Sequence, residues 1–193
     1  MDDSQAWAVT WTAEEPMQRS SHALAHEGRV WLVDPIADEP ALRAAEALGE
    51  VVAVVQLLDR HPRSCAGLAK RYGVPHLRLP EALPDSPFEL RRMLCVPTWR
   101  EIALWWPERR TLVVAETVGT GPYFALGGRP LGVHPFLRAK PPGPLRDFEP
   151  EHLLVGHGAA LHERAAPALT EALERSRRDI PRVPLAMVRA YAG

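Results

Sequence analysis

Little in this chain of 193 residues advertises a function, and what is scarce already removes several classes. Two cysteines, Cys65 and Cys95, are too few for a disulfide framework, so a reduced, cytoplasmic compartment is the expectation. No apolar run approaches the length of a membrane span. The opening residues Met1-Asp2-Asp3-Ser4 are acidic and lack the apolar stretch of a secretion signal. An excess of either charge is missing too: 23 Lys and Arg stand against 24 Asp and Glu, a formal net charge of −1. That balance makes no basic field for nucleic acid or an anionic membrane surface, and neither partner is expected. Val118-Gly119-Thr120-Gly121 lacks the Lys-Ser/Thr that would complete a phosphate-cradling loop.

What is present points to one globular domain spanning 1–193. Apolar residues make up 46% of the chain, enough for a core without staples, and 20 prolines punctuate its loops. Ala6–Thr12 alternates as a half-buried strand, and His22–Ala25 with Arg29–Val33 flank Glu27-Gly28 as a hairpin. His22 and His26 are expected on the surface. Asp38 can cap a helix that has Pro40 in its first turn, buries Leu42, Ala45 and Leu48, and stops at Gly49. Val51–Leu58 is apolar on both faces, as in a strand covered on both sides. Ser64–Tyr72 reads as a helix stopped by Gly73, and His76–Leu79 as a short strand. Glu101–Trp106 and Thr111–Ala115 form another hairpin, and Gly119–Phe148 a long ordered loop with a helical turn near Phe136. His152–Val155 is a last strand, Pro167–Arg178 a last helix, and the tail Asp179–Gly193 carries an apolar set (Val183, Leu185, Val188) able to dock. Trp105-Trp106 sends one ring to each face of its strand: one to the core, the other over a pocket or into a homodimer contact.

The chemistry concentrates in Gln56–Gly67, QLLDRHPRSCAG, and in Leu153–Gly158, LLVGHG. Together with RVWLVDP (Arg29–Pro35) and EIALWWPERRTLVVAE (Glu101–Glu116), and in this order over roughly residues 20–178, they resemble the metallo-β-lactamase superfamily. The resemblance implies a four-layer αββα sandwich, two mixed β-sheets flanked by helices. In that family a His-x-His-x-Asp-His loop and three later residues hold two zinc ions, since zinc takes about four N, O or S ligands. Here the pattern is degenerate. Asp59 stands for the first His, His61 keeps the second, Arg63 replaces the Asp and Ser64 the last His. The mid-chain His is missing around Cys95-Val96-Pro97-Thr98, Glu116 falls at the bridging Asp, and His157 keeps the final position.

The pocket implied by the resemblance is thus Asp59, His61, Arg63, Glu116 and His157, and at most one zinc or other divalent metal would be held by Asp59, His61, Glu116 and His157. Arg63 weighs against a second. A +1 charge ~4 Å from a divalent ion costs about 8 kcal/mol at an effective dielectric of 20, against about 10–16 kcal/mol for a structural zinc site. The expectation is that Arg63 neutralises Asp59 or Glu116 as a resident cation. Asp34, before Pro35, is expected to fix a strand-to-loop turn, and Cys65 to be a small buried thiol. Two functions follow: a non-catalytic ligand-binding or regulatory module, which the missing ligands favour, or a single-metal hydrolase acting on a small anionic ester or thioester. The first reading leans away from an enzyme.

Overall fold

The strand β5 (Glu50–Gln56) is apolar on both faces, and a strand of that kind must be covered twice. A computed structural model of the chain describes residues 3–182 and shows how. Val51 and Val54 pack outward, together with Leu42 and Ala45 of one helix and Leu68 and Ala69 of the next. Ala53 and Val55 pack inward with Leu104, Trp106 and Leu154 of a second sheet.

The first sheet lays its strands down in chain order: β1 (Asp3–Gln5), β2 (Ala8–Thr12), β3 (Ser20–His26), β4 (Arg29–Val33), β5, and β6 (His76–Arg78). The first three pairings are antiparallel, and β4–β5 and β5–β6 are parallel. Parallel neighbours need a crossover, supplied by α1 (Glu39–Glu46) and α2 (Cys65–Tyr72). Both begin or end where the sequence marks them. Asp38 accepts from Ala41 N at 2.9 Å as the cap of α1. Gly73 closes α2 at φ +67°, a left-handed position that glycine adopts without strain.

The second sheet joins β7 (Glu89–Val96), β8 (Trp99–Trp106), β9 (Thr111–Val114) and a later strand, β12 (His152–Val155), in the order β12-β9-β8-β7. Between β9 and β12 runs a two-stranded ribbon, β10 (Val118–Gly119) and β11 (Gly132–Val133). β12 lies parallel to β9 and the other pairs are antiparallel, so this sheet is mixed as well. Its outer face is covered by α3 (Ala165–Arg175) through Ala168, Leu169, Ala172 and Leu173. Helices, sheet, sheet and helix make the αββα sandwich the sequence implied.

Three local expectations change. β7 went unread because only one of its eight residues, Met93, is buried; it is an edge strand, where charges such as Arg91 and Arg92 discourage pairing with other chains. His22 is buried, not exposed: it points between the sheets, where its Nε2–H donates to Val155 O at 3.1 Å and its Nδ1 accepts from Thr10 Oγ1 at 2.9 Å. Trp106 sits in the inter-sheet core and Trp105 lies against Phe148, 5.2 Å between ring centroids, so the outer ring covers the long loop instead of a pocket. Ser176–Arg182 forms a tight turn after α3, and the apolar set Val183, Leu185 and Val188 lies outside the described residues. No helix among the described residues is long and apolar enough to cross a membrane.

Candidate metal centre

Two parallel neighbours, β9 and β12, end side by side, with Val114 paired to Val155. The residues that follow each strand therefore emerge together. Gly156 permits the close approach: a Cβ there would sit 2.1 Å from Ala115 O. Gly158 turns the chain at φ +96°. Between these glycines His157 is presented beside Glu116. His61 comes from the other sheet, on the loop after β5. That loop is stitched across to β8, because Leu57 O accepts from Ile102 N at 2.9 Å and Asp59 N donates to Arg100 O at 3.0 Å.

The three side chains converge. Glu116 Oε1 lies 3.7 Å from His61 Nε2 and 3.7 Å from His157 Nε2, and one donor atom from each residue lies within 4.8 Å of the others. Ligands of a tetrahedral zinc at roughly 2.1 Å are about 3.4 Å apart, so a small inward movement would close the set on one ion. The outer nitrogens are already engaged. His157 Nδ1–H donates to Met17 O at 2.8 Å, which leaves Nε2 with its lone pair, buried and without a hydrogen-bond partner among the described residues. His61 Nδ1 faces Asp34 Oδ2 at 3.3 Å, and Asp34 Oδ1 accepts from Leu57 N at 2.9 Å. A carboxylate or carbonyl behind each ligating histidine fixes tautomer and ring orientation. The donor set fits one divalent metal. In front of it opens a pocket of about 370 Å³, walled by Pro16, Met17 and Arg19.

Charge in the site is arranged by the same neighbours. Burial, helped by His61, pulls His157 down to about 4, so it is neutral at pH 7. Burial also pulls His61 down, but the Asp34 and Glu116 carboxylates outweigh it and the net shift is upward. Glu116 is pushed up by burial and down further by His61 and Arg60, ending well below the usual carboxylate range. A proton held between His61 and Glu116 would compete with a metal for the same atoms.

Of the five residues expected in the pocket, His61, Glu116 and His157 come together. Asp59 does not join them: its Oδ2 accepts from Arg100 N at 3.0 Å, fastening the loop to β8. Arg63 pairs with neither Asp59 nor Glu116. It is drawn in by backbone carbonyls, donating to Ser20 O, to Asp34 O at 2.8 Å and to Gly156 O at 2.9 Å. It knits three loops beneath the site, and its charge still helps depress His157. The cation on Glu116 is Arg60, with Nη2 at 2.5 Å and Nε at 3.2 Å from Oε2.

Sequence reasoning missed Arg60, although it stands next to His61, and it gave Asp34 only its turn-forming part. It also missed Glu101. That carboxylate is fully buried at the heart of β8. Its Oε1 accepts from Ala115 N, Glu116 N, Thr117 N and Thr117 Oγ1 at 2.9–3.1 Å, and Oε2 accepts from Trp99 Nε1 at 3.1 Å. The turn that carries Glu116 is wrapped around this one group. Burial, with the Glu116 carboxylate nearby, raises its pKa above the ordinary value, and the bonds donated by Glu116, Thr117 and Trp99 offset that only in part. A glutamate directly before the apolar run IALWW (Ile102–Trp106) of β8 was the available signal. Cys65 is buried, and burial pushes its thiol up to about 12.

The sequence matches no family model and no curated protein. Solved structures do match. The DIM-1 metallo-β-lactamase superposes with TM-score 0.59 at 14% identity, over 92% of this chain and 96% of that one. A metallo-β-lactamase from Erythrobacter litoralis gives TM-score 0.59 at 10% identity, over 91% of each chain. The chemotaxis sensor ODP, in a peroxy diiron form, gives 0.58 at 12% identity, over 91% of this chain and 93% of that one. This chain has the metallo-β-lactamase fold. At such identities the likeness speaks for the fold, and the site must be argued from its own residues.

Proposed function

We propose that this chain binds a single divalent metal ion, zinc foremost, through His61, Glu116 and His157, and serves as a hydrolase for a small anionic ester or thioester. The observation that carries this reading is the pair of inward Nε2 atoms, one of them buried and without a hydrogen-bond partner among the described residues, facing one carboxylate oxygen. Three protein ligands with an open pocket beside them are the pattern of a catalytic zinc site, since structural sites close all four positions. A metal ion there supplies Lewis-acid polarisation of a bound carbonyl or phosphoryl oxygen and lowers the pKa of water. The chain's own part is to aim the ligands, through Asp34 and Met17 O, and to hold the Glu116 turn on Glu101. Met17 and Pro16 offer an apolar wall for the rest of the substrate.

A non-catalytic binding module is favoured by one observation, the Arg60–Glu116 ion pair, which gives the carboxylate a resident cation without any metal. The sensor ODP, on the same fold, illustrates a use other than hydrolysis. One experiment separates the readings. The single-metal reading expects one zinc per chain, a melting temperature raised by zinc and returned by EDTA, and loss of that response in His61→Ala and His157→Ala. Zinc-dependent cleavage of a carboxylate-bearing aryl ester or thioester then supports the hydrolase. A melting temperature indifferent to zinc, manganese and EDTA overturns it in favour of the module.

A further inference from the structure

We infer that Arg60, and not Arg63, is the anion-receiving residue at this site, on the Oε2 side of Glu116 and outside the lining of the pocket itself, taking a carboxylate or phosphate group of the ligand on the outer edge of its guanidinium. The inference rests on the ligand chemistry proposed above but concerns a different residue and has its own readout. Arg63 is excluded by its bonding and burial: both Nη atoms are spent on the carbonyls of Ser20, Asp34 and Gly156, and its Nε, without a partner among the described residues, is buried away from the pocket lining. Arg60 uses only Nε and Nη2, both on Glu116 Oε2. Nη1 has no hydrogen-bond partner among the described residues, and the side chain is 43% exposed.

Its position is held from below as well. The guanidinium lies 4.0 Å over the Trp99 ring, and Trp99 is itself fixed by its Nε1–H on Glu101 and by His134, 4.7 Å away between centroids. An arginine stacked on an aromatic ring and tied on one edge presents its remaining N–H donors as a preformed fork, which matches a carboxylate or a phosphate. Glu116 stands between the two functions. Its Oε1 faces the histidines and its Oε2 faces Arg60, so one carboxylate separates the candidate metal position from the anion fork. A ligand bridging that carboxylate would set its anionic end on Arg60 and its reacting group toward His61 and His157. The fork would hold the anion, and Glu116 would keep Arg60 from swinging away.

The test titrates inorganic phosphate and, in a separate arm, acetate into zinc-treated protein by calorimetry, for wild type, Arg60→Lys and Arg60→Met. Zinc affinity is measured in parallel on each. The expected result is phosphate or acetate binding that weakens at least tenfold in Arg60→Met and is only partly kept by Arg60→Lys, with zinc affinity not reduced. The stronger arm names the anion class. Anion binding unchanged in Arg60→Met, falling together with zinc affinity, or absent from wild type, overturns the assignment. Failure of wild type to bind zinc is a separate outcome and overturns the metal reading alone, because the anion arms are then repeated on the metal-free protein and judged by the same comparison.

Discussion

Replacing Glu101 with Gln removes one charge and changes almost no volume, yet it is expected to destabilise the protein by about 3 kcal/mol. The magnitude follows from the five donors on that carboxylate. The Gln carbonyl oxygen can still face Ala115, Glu116 and Thr117. Those bonds, however, fall from the range of about 1.5–3 kcal/mol for a charged acceptor to about 1 kcal/mol each for a neutral one. The amide NH2 is then turned toward Trp99 Nε1–H, a donor against a donor, which leaves a buried group unsatisfied for about 1–3 kcal/mol. Against these losses stands the relief of burying a charge, several kcal/mol. The net remains a loss because every neighbour of the carboxylate donates. Urea unfolding reads it as a midpoint lowered by about 1–2 M at unchanged slope. Zinc affinity should weaken in the same variant, since the turn wrapped around Glu101 is the one that carries Glu116. A wild-type midpoint in Glu101→Gln would refute the reasoning. It would mean that burial keeps the acid protonated, so that an amide replaces it without loss.

Other perturbations have equally definite outcomes. Burial, with Arg63 nearby, holds His22 at about 4 against its ordinary 6.5. Below pH 6.5 the unfolded chain takes up a proton that the native chain refuses, so the stability from this group is full above that pH and is lost as the pH falls to about 4, a span worth about 3 kcal/mol. Unfolding midpoints measured from pH 7 to 4 should fall less steeply in His22→Gln; an identical slope would show that His22 is not the group responsible. Arg63→Met takes the donor from three carbonyls and should cost about 3 kcal/mol in urea unfolding while zinc stoichiometry stays at one. A second zinc in that variant would show that Arg63 is what bars it. Gly156→Ala drives a Cβ to 2.1 Å from Ala115 O and must part β9 from β12. A loss of about 2 kcal/mol and of the zinc-induced melting shift is expected, and a fully stable, zinc-responsive variant would contradict the close approach.

The sequence by itself determined the layers and the two histidines. Apolar alternation, the doubly apolar β5, the Asp38 cap and the Gly73 stop are local signals, and each element they mark forms within a few residues of its expected place. His61 and His157 were legible because a strand end and a Gly-His-Gly turn are local features too. Only the tertiary structure decided which charges meet. Arg60 and Arg63 are three residues apart in one loop and equally basic, yet one reaches Glu116, 56 positions away, and the other is captured by carbonyls from three distant strand ends. Glu101 was only the first residue of an expected strand until the turn after β9 folded over it, and His22 looked like a surface residue until the second sheet closed on it. Periodicity reports which face a residue occupies. The partner it finds there depends on how two sheets are brought together, and in this protein that meeting sets the charge around the candidate metal.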